Sequence, residues 1–326
     1  MFPFLSSLLL FSLFSEKRDS PFVLLNIILY ICIRMYYLKS MIPMSTKIGK
    51  SLMAIFFLGM FMAGCQNHTK QTAENDIAFD SIRVEKTYHL LDNPDNPNCD
   101  FQLNFVYPSR FHDKEILKKI QNDFILSCFG EDYANLSPKE AVDRYTQDYL
   151  NAYKDLETDF KAELEKKDKL PVGAWFSYYE MSFDEIAYNR NDILSYTVNL
   201  QNYTGGAHGS HNYLHHVINL KTGNAITEED IFVDNYQDKL AQILVDHIVK
   251  QNNVENPKDL ENIGFFSAEE IFPNGNFLIG ADGITYTFNE YDIAAYVVGA
   301  TNVLLPYDEI RYLVREGSPI SKLLEN

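Results

Sequence analysis

Basic side chains are scarce in this sequence. Of its 326 residues, 28 are Lys or Arg and 45 are Asp or Glu, so the formal net charge at pH 7 is −17. Proteins that bind nucleic acids use basic side chains to neutralise phosphates, so this composition excludes nucleic acid as a partner. An acidic surface keeps a protein soluble and also favours a cationic partner.

Motifs for common catalytic and nucleotide-binding sites are also missing. The chain has no Gly-x-Ser-x-Gly segment, which would form a nucleophile elbow. Its glycine-rich segment 205–209 is followed neither by Lys-Ser/Thr nor by a helical pattern, so it is no P-loop or dinucleotide fingerprint. The chain has only four cysteines, and none has the setting of a nucleophile. We therefore expect no cofactor.

A membrane-targeting pattern occupies residues 47–65. It has a basic start, an apolar run and small residues before a cysteine, and the composition turns polar directly afterwards. Met62-Ala-Gly-Cys65 resembles a bacterial lipobox, in which the cysteine becomes the lipidated first residue. We expect residues 41–64 to be a lipoprotein signal peptide and 65–80 a tether. The protein would then lie in the cell envelope, outside the cytoplasm, anchored to a membrane through Cys65.

Residues 1–40 are apolar and aromatic, with a charged break at 15–20. Neither apolar part is an uninterrupted span of about 20 residues. We interpret them as an upstream extension that does not belong to the native protein, with translation starting at Met41 or Met44. A genuine N-terminal membrane segment is the alternative.

Blocks of strand and helix periodicity follow the tether. Region 81–170 has two strand patterns and then two amphipathic helices, the second opened by a Ser137–Glu140 capping box and running to about residue 166. Region 171–326 has several alternating strands, a helix at about 234–251 and a hairpin around 281–283. This predicts an α+β fold, with mainly antiparallel sheets, packed helices and two tightly associated subdomains.

A glycine-rich connection joins two of these strands. Alternation runs through 193–200, breaks at Tyr203-Thr-Gly-Gly-Ala-His-Gly-Ser-His211, and resumes through 212–220. Glycines permit positive φ and close backbone approach. His208, which lies among them, has two readings. It either bonds a backbone carbonyl and holds the loop, or it faces a cleft and contacts a ligand.

Four histidines cluster in sequence, at positions 208, 211, 215 and 216. Strand geometry argues against a metal site. His215 and His216 are strand neighbours and point to opposite faces, and His211 lies about 13 Å from His215 along a strand. We therefore predict no metal, and we expect His215 or His216 to lie on an exposed sheet face. An acid–base pair of His208 with Glu228 or Glu229 stays open.

The remaining cysteines of the exported part, Cys99 and Cys128, are predicted to form a disulfide. Cys99 begins a strand, and Cys128 ends the helix that follows it. A helix that packs back along its strand would return its last residue to the beginning of the strand, and exported proteins permit disulfides.

Several motifs together resemble DUF3298, a bacterial domain family of unknown function. They are Tyr203–His208, Leu220-Lys-Thr-Gly223, Asp230-Ile-Phe232, Tyr286–Ala294 and Pro306–Ile310, and the resemblance covers roughly residues 193–315. The domain is assigned to 171–326, and region 81–170 is similar to the DUF4163 domain that commonly precedes it. The resemblance implies an extracytoplasmic α+β module. Its relatives include the lysozyme-sensing ectodomain of an anti-sigma factor and the non-catalytic part of a peptidoglycan deacetylase.

We therefore predict a lipid-anchored envelope protein that binds a protein or a cell-wall glycan without catalysis. Candidate partners are a cationic protein such as a lysozyme, and peptidoglycan. The predicted binding residues are Tyr203, Gly205, Gly206, Ala207 and His208. The alternative is a hydrolase that acts on peptidoglycan or another glycan through His208 and a nearby carboxylate.

Overall fold

The computed structural model describes residues 73–166 and 173–324. The predicted upstream extension, the predicted signal peptide, the predicted lipidation site Cys65 and the first half of the predicted tether lie outside these ranges. Within the described ranges, no helix has the length and apolarity needed to cross a bilayer.

A six-stranded sheet forms the centre of the described part. Its strands follow one another in chain order across the sheet. They are β1 (Ala78–His89), β2 (Asn98–Arg110), β3 (Tyr178–Arg190), β4 (Ile193–Tyr203), β5 (Ser210–Asn219) and β6 (Asn224–Ala225). All neighbours pair antiparallel except β2 and β3, which are parallel. A parallel pair needs a long crossover, and helices provide it here. The sheet thus takes strands from both predicted subdomains.

Seven α-helices lie in the described ranges. They are α1 (Lys114–Phe129), α2 (Pro138–Asp155), α3 (Glu157–Leu164), α4 (Gly173–Phe176), α5 (Glu228–Ile231), α6 (Gln237–Gln251) and α7 (Tyr307–Ile310). The predicted capping box at Ser137 and Glu140 is confirmed. The single long helix expected to run to residue 166 is instead two helices, because α2 ends at Asp155 and α3 starts two residues later.

A smaller antiparallel sheet contains β7 (Phe277–Ile279), β8 (Gly283–Phe288) and β9 (Thr301–Pro306). The first two strands form the hairpin that the sequence predicts. This sheet and α6 pack on one face of the large sheet, while α1 and α2 pack on the other. The α+β class with mainly antiparallel pairing is therefore confirmed.

Strand β4 illustrates how the layers are built. Leu194, Tyr196 and Val198 point into the core beneath α1 and α2. Ser195 points the other way, and its hydroxyl donates to the carbonyl of Ile279 in the smaller sheet at 2.8 Å. Because strand side chains alternate between faces, one strand serves both cores. This explains why the buried pattern at the start of β4 is nearly continuous.

The predicted disulfide is wrong. Both Cys99 and Cys128 are free thiols. The Cys128 sulfur lies 3.5 Å from both carboxylate oxygens of Asp184, which also accepts from the amide of Val106 at 3.1 Å. Cys99 precedes Val106 by seven residues in β2, which is about 23 Å along a strand. That separation exceeds the reach of a disulfide several-fold.

The path of α1 explains the error. The prediction required α1 to run back along β2, but α1 crosses the sheet. Early in the helix, Lys119 reaches the carbonyl of Thr222 beside β6, at 3.4 Å. At its end, the Phe129 ring packs on Phe105 of β2, with centroids 4.9 Å apart. Helix α1 therefore ends over the middle of β2, far from its first residues.

Candidate functional site

The glycine-rich connection leaves β4 at Tyr203 and enters β5 at Ser210. Gly205 and Gly206 have φ angles of +85° and +124°, which side chains with a Cβ rarely adopt. A Cβ on Gly205 would also lie 2.9 Å from the carbonyl oxygen of Trp175, whereas one on Gly206 would meet no described atom within 4 Å. Glycine is thus favoured at position 205 by the positive φ and by the close carbonyl, and at position 206 by the positive φ only.

Tyr203 holds this connection in place. Its hydroxyl donates to the carbonyl of Gly206 at 2.9 Å, and its ring stacks with Tyr179 of β3, with centroids 6.1 Å apart. Two of the predicted binding residues, Tyr203 and Gly205, therefore shape the loop. Ala207 and His208 are exposed at its tip.

His208 belongs to an exposed group of aromatic rings. Its ring stacks on Tyr296, with centroids 3.8 Å apart and planes 18° apart, and it lies 6.1 Å from the Tyr291 ring. Nδ1 lies 2.8 Å from the Gly209 carbonyl oxygen, and Nε2 lies 3.1 Å from the Tyr291 hydroxyl. In the neutral ring, Nδ1–H therefore donates to the carbonyl while Nε2 accepts from Tyr291.

We call His208, Tyr291 and Tyr296, with the neighbouring Val297, the aromatic surface. The exposed fractions of the last three are 54%, 37% and 88%. Because these exposed side chains lie side by side, they form a candidate binding surface. His208 bonds a loop carbonyl, as the first reading expects, and its ring is also part of an exposed surface. Its contact with a ligand stays a prediction.

A short turn brings Tyr291 to His208. In the turn 289–292, the amide of Asn289 donates to the Asp292 carboxylate at 2.7 Å, and the amide of Asp292 donates back to the Asn289 carbonyl at 3.0 Å. Tyr291 has a φ of +69°, a strained value for a bulky residue. Such strain persists only where the surrounding structure enforces it.

The turn is fastened to the free edge of β5 by side chains. Asn289 Oδ1 accepts from the amide of Tyr213 at 2.8 Å, and Glu290 Oε2 accepts from the amide of His211 at 3.2 Å. Farther along the edge, Asn276 Oδ1 accepts from the amide of His215 at 2.8 Å. These side chains satisfy edge groups that would otherwise be open to another strand.

The other clustered histidines serve different contacts. His215 Nδ1 and Nε2 lie 2.9 and 2.7 Å from the hydroxyls of Thr197 and Thr287, so this ring joins the two sheets. Burial lowers the pKa of His215 to about 4, which keeps the ring neutral. His215 and His216 are both partly buried, so the expected exposed face is wrong for both. Among the described residues, no three or more His, Cys, Asp and Glu side chains are grouped to hold a metal ion.

The acid–base pair of His208 with Glu228 or Glu229 does not form. The buried Glu228 accepts from the Tyr236 hydroxyl at 2.7 Å and from the Gly275 amide at 3.0 Å. Both glutamates line a cleft with His215 and His216, near the far end of β5 from His208. In the described part of the chain, no carboxylate hydrogen-bonds to the His208 ring.

Sequence reasoning missed Tyr291 and Tyr296 as site residues. Tyr291 lies in the segment Tyr286–Ala294, which was singled out only for its family resemblance. The available signal is the polar Asn-Glu-Tyr-Asp turn after a strand, because binding residues are found disproportionately on loops. Nothing in the sequence places that turn beside His208.

The comparisons with known proteins agree with this architecture. Residues 229–308 match the family model described as a protein of unknown function, DUF3298. Residues 92–211 match the model described as Deacetylase PdaC. The crystal structure of a DUF3298 family member from Bacteroides fragilis has 30% sequence identity and a TM-score of 0.73, covering 78% of this chain and 99% of that one.

A second crystal structure, of a DUF3298 family protein from Pseudomonas aeruginosa, has 13% identity and a TM-score of 0.48, covering 73% of this chain and 95% of that one. No curated protein matches the chain.

The fold and the family matches define an envelope-type α+β domain. The chain belongs to the DUF3298 family, which confirms the predicted resemblance. The segment Tyr203–His208, however, lies within the match to the deacetylase model and outside the DUF3298 match. The aromatic surface therefore combines His208 from one matched region with Tyr291 and Tyr296 from the other. The DUF4163-like assignment of 81–170 stays a prediction.

Proposed function

We propose that this protein is a lipid-anchored, non-catalytic module of the cell envelope that binds cell-wall glycan through the aromatic surface. The observation that carries the proposal is the stack of His208 on Tyr296, beside an exposed Tyr291. Sugar rings have apolar C–H faces and polar edges, so aromatic faces with nearby hydrogen-bonding groups suit them. The resemblance to the non-catalytic part of a peptidoglycan deacetylase supports the same ligand.

The position of the described N-terminal residues supports this use of the surface. The Asn75 side chain donates to the Ile193 carbonyl and accepts from the amide of Asp192, both at 2.9 Å. This contact lies at the first residue of β4, whereas the aromatic surface lies beyond its last. The two ends of an 11-residue strand are about 33 Å apart. A chain tethered through Cys65 would thus enter at one end of β4 and present the surface at the other.

Binding to purified, protein-free peptidoglycan sacculi tests the proposal. Tyr296→Ala and His208→Ala should each reduce retention about tenfold, because each removes one stacking face. Their melting temperatures should stay close to that of the parent protein, since both side chains are exposed. Tyr312→Ala is the matched control, because this tyrosine is 63% exposed elsewhere on the chain. Full retention by the Tyr296 variant would contradict the proposal.

A cationic protein of the lysozyme type is the second candidate ligand, favoured by the net charge of −17. Binding to a cationic protein should weaken steeply as the salt concentration rises from about 50 to about 500 mM, because salt screens attraction between surface charges. Stacking on glycan should change little over the same range. The hydrolase alternative predicts release of reducing sugar from the same sacculi. It lacks the carboxylate partner of His208 that motivated it.

A further inference from the structure

A cavity of about 670 Å³ opens beside the aromatic surface, between β5 and the segment that leads into β7. Its walls include Leu214 and Phe272, which are 37% and 46% exposed although both are apolar. Ser127 and His216 lie among its lining residues as well. Small-molecule sites usually have volumes of about 300–1,000 Å³ and combine apolar walls with a few placed polar groups.

His216, which lines this cavity, carries an unsatisfied polar atom. Its Nε2 is buried and has no hydrogen-bond partner among the described residues. The contacts of its other ring nitrogen, Nδ1, show whether Nε2 is a hydrogen-bond donor or an acceptor. The Tyr196 hydroxyl donates to the Asp123 carboxylate at 2.9 Å. The Ser127 hydroxyl has two acceptors for its own proton, the Asp123 carbonyl at 2.7 Å and the Tyr196 hydroxyl at 2.8 Å. Ser127 Oγ is then free to accept from His216 Nδ1–H, 3.3 Å away.

This arrangement leaves Nε2 as a bare acceptor. Burial lowers the pKa of His216, against the opposing effect of Asp123, and favours a neutral ring. An unsatisfied buried acceptor is costly, so a ligand that donates a hydrogen bond at this point gains affinity. The ligand must therefore carry a hydroxyl or an amide N–H.

The rest of the lining limits the charge of the ligand. The described residues that line the cavity include no Lys or Arg, but they do include Glu270 and Asp292. An anion would find no cationic partner there and would meet two like charges. The apolar side chains, the polar groups among the lining residues and the volume together fit a neutral sugar unit.

The cavity and the aromatic surface share the turn 289–292. Asn289 and Asp292 line the cavity, while Tyr291 belongs to the aromatic surface and bonds His208. Tyr291, the residue with the strained φ, lies between the cavity and the rest of the aromatic surface. A polysaccharide that crosses this turn would contact both sides of it.

We propose that the cavity over His216 is a second saccharide subsite, which holds one or two neutral sugar units of the glycan that the aromatic surface binds. A sugar hydroxyl or acetamide N–H donates to His216 Nε2, and a ring face packs on Phe272. This subsite rests on the proposed glycan-binding function, but it can fail independently of that function.

The test is a titration of the full chain with N,N′-diacetylchitobiose and with cellobiose, followed through the ring nitrogens of the histidines in long-range ¹H–¹⁵N spectra. The disaccharides are too short to report on sacculus retention, so the two experiments are independent. The chemical shift of His216 Nε2 should change in a saturable way as the disaccharide concentration reaches the millimolar range. If both disaccharides shift the His216 resonance, the subsite recognises the sugar ring and its hydroxyls. If only N,N′-diacetylchitobiose shifts it, the subsite recognises the acetamide group. Both results support the subsite.

Two variants sharpen the titration. Phe272→Ala should weaken disaccharide binding about tenfold, because it removes an exposed ring without disturbing the core. His216→Phe keeps a ring against Tyr196 and removes Nε2, so it should weaken binding about fivefold to tenfold, as measured by calorimetry. Phe266→Ala is the control, because Phe266 is 38% exposed and lies outside the cavity lining.

Failure takes distinct forms. If sacculi are retained but neither disaccharide moves the His216 resonance, the subsite is overturned and the proposed function stands. Disaccharide binding that is unchanged in Phe272→Ala also overturns the subsite. If sacculi are not retained and no resonance moves, both proposals fall.

Discussion

At the scale of single residues, burial assigns different roles to side chains of one type. His208 is exposed and stacks on a tyrosine, whereas His215 is partly buried and joins two threonine hydroxyls across the sheets. The same contrast holds for aspartates. Asp80 lies on the exposed side of β1, while Asp184 is buried in β3 beside a thiol. Such differences have consequences that pH titration can measure.

Asp184 is predicted to make stability fall as the pH rises. Burial raises its pKa to about 7, although bonds from Cys128 and the amide of Val106 act in the opposite direction. An unfolded aspartate has a pKa of about 3.9, so the folded state binds the extra proton between about pH 4 and 7. The stabilisation is complete below about pH 4 and is lost as the pH rises through about 7.

The variant Asp184→Asn should remove this dependence. Relative to the parent protein, its free energy of unfolding should rise by about 2–4 kcal/mol from pH 4.5 to 7.5. Urea denaturation at several pH values measures the difference. The matched control is Asp80→Asn, because Asp80 is an exposed aspartate of the same sheet. A constant difference between Asp184→Asn and the parent across this range would refute the assignment.

His215 gives the free energy of unfolding the opposite pH dependence from Asp184. Because burial lowers its pKa to about 4, its contribution is complete above the unfolded value of about 6.5 and is lost as the pH falls through about 4. The two buried groups therefore oppose one another in the parent protein, so the single variant is more informative than the pH profile of the parent alone.

The two structured cysteines are predicted to be free and unreactive. Burial raises the pKa of the Cys99 thiol to about 11 and raises that of Cys128 as well. Only thiolates react readily with alkylating reagents. Iodoacetamide should therefore leave both residues unmodified in the folded protein and label both in urea without a reductant, as read by peptide mass spectrometry. A linked Cys99–Cys128 peptide would contradict this prediction.

At the scale of elements, the β4–β5 connection depends unequally on its glycines. Gly205→Ala should destabilise the protein by about 2–4 kcal/mol, because it adds a steric conflict with the Trp175 carbonyl to a positive φ. Gly206→Ala should cost only about 1–2 kcal/mol, since the space around it is open. Chemical denaturation of the two variants gives the comparison. Equal losses would mean that backbone conformation alone limits both positions.

At the scale of the whole molecule, the prediction concerns the anchor. Cys65→Ser should move the protein from the membrane fraction to the soluble fraction, or leave it as an unprocessed precursor, because lipidation of that sulfur is the proposed attachment. Fractionation and immunoblotting of cells that express the full chain measure this. Cys99→Ser is the control and should remain with the membrane. Retention of a normally processed Cys65→Ser protein would exclude the lipid anchor.

Local patterns were sufficient for much of the fold. The capping box at Ser137, the hairpin of β7 and β8, and the strands on both sides of the glycines all depend on neighbours within a few residues. Other expectations failed where they needed long-range geometry. For example, the sequence predicts His215 or His216 on an exposed sheet face, whereas His215 bonds Thr287 of the smaller sheet.

The sequence by itself determined the α+β class, the glycine-rich connection and His208 as its titratable side chain. These follow from periodicity and from backbone conformations that only certain residues adopt easily. The tertiary structure alone decided that Cys99 and Cys128 stay apart, that Glu228 bonds Tyr236, and that Tyr291 and Tyr296 meet His208 across more than 80 residues. Those outcomes depend on the direction in which α1 crosses the sheet and on how the turn 289–292 attaches to the edge of β5. Both are set by the packing of side chains that are distant in sequence, for which local patterns carry no information.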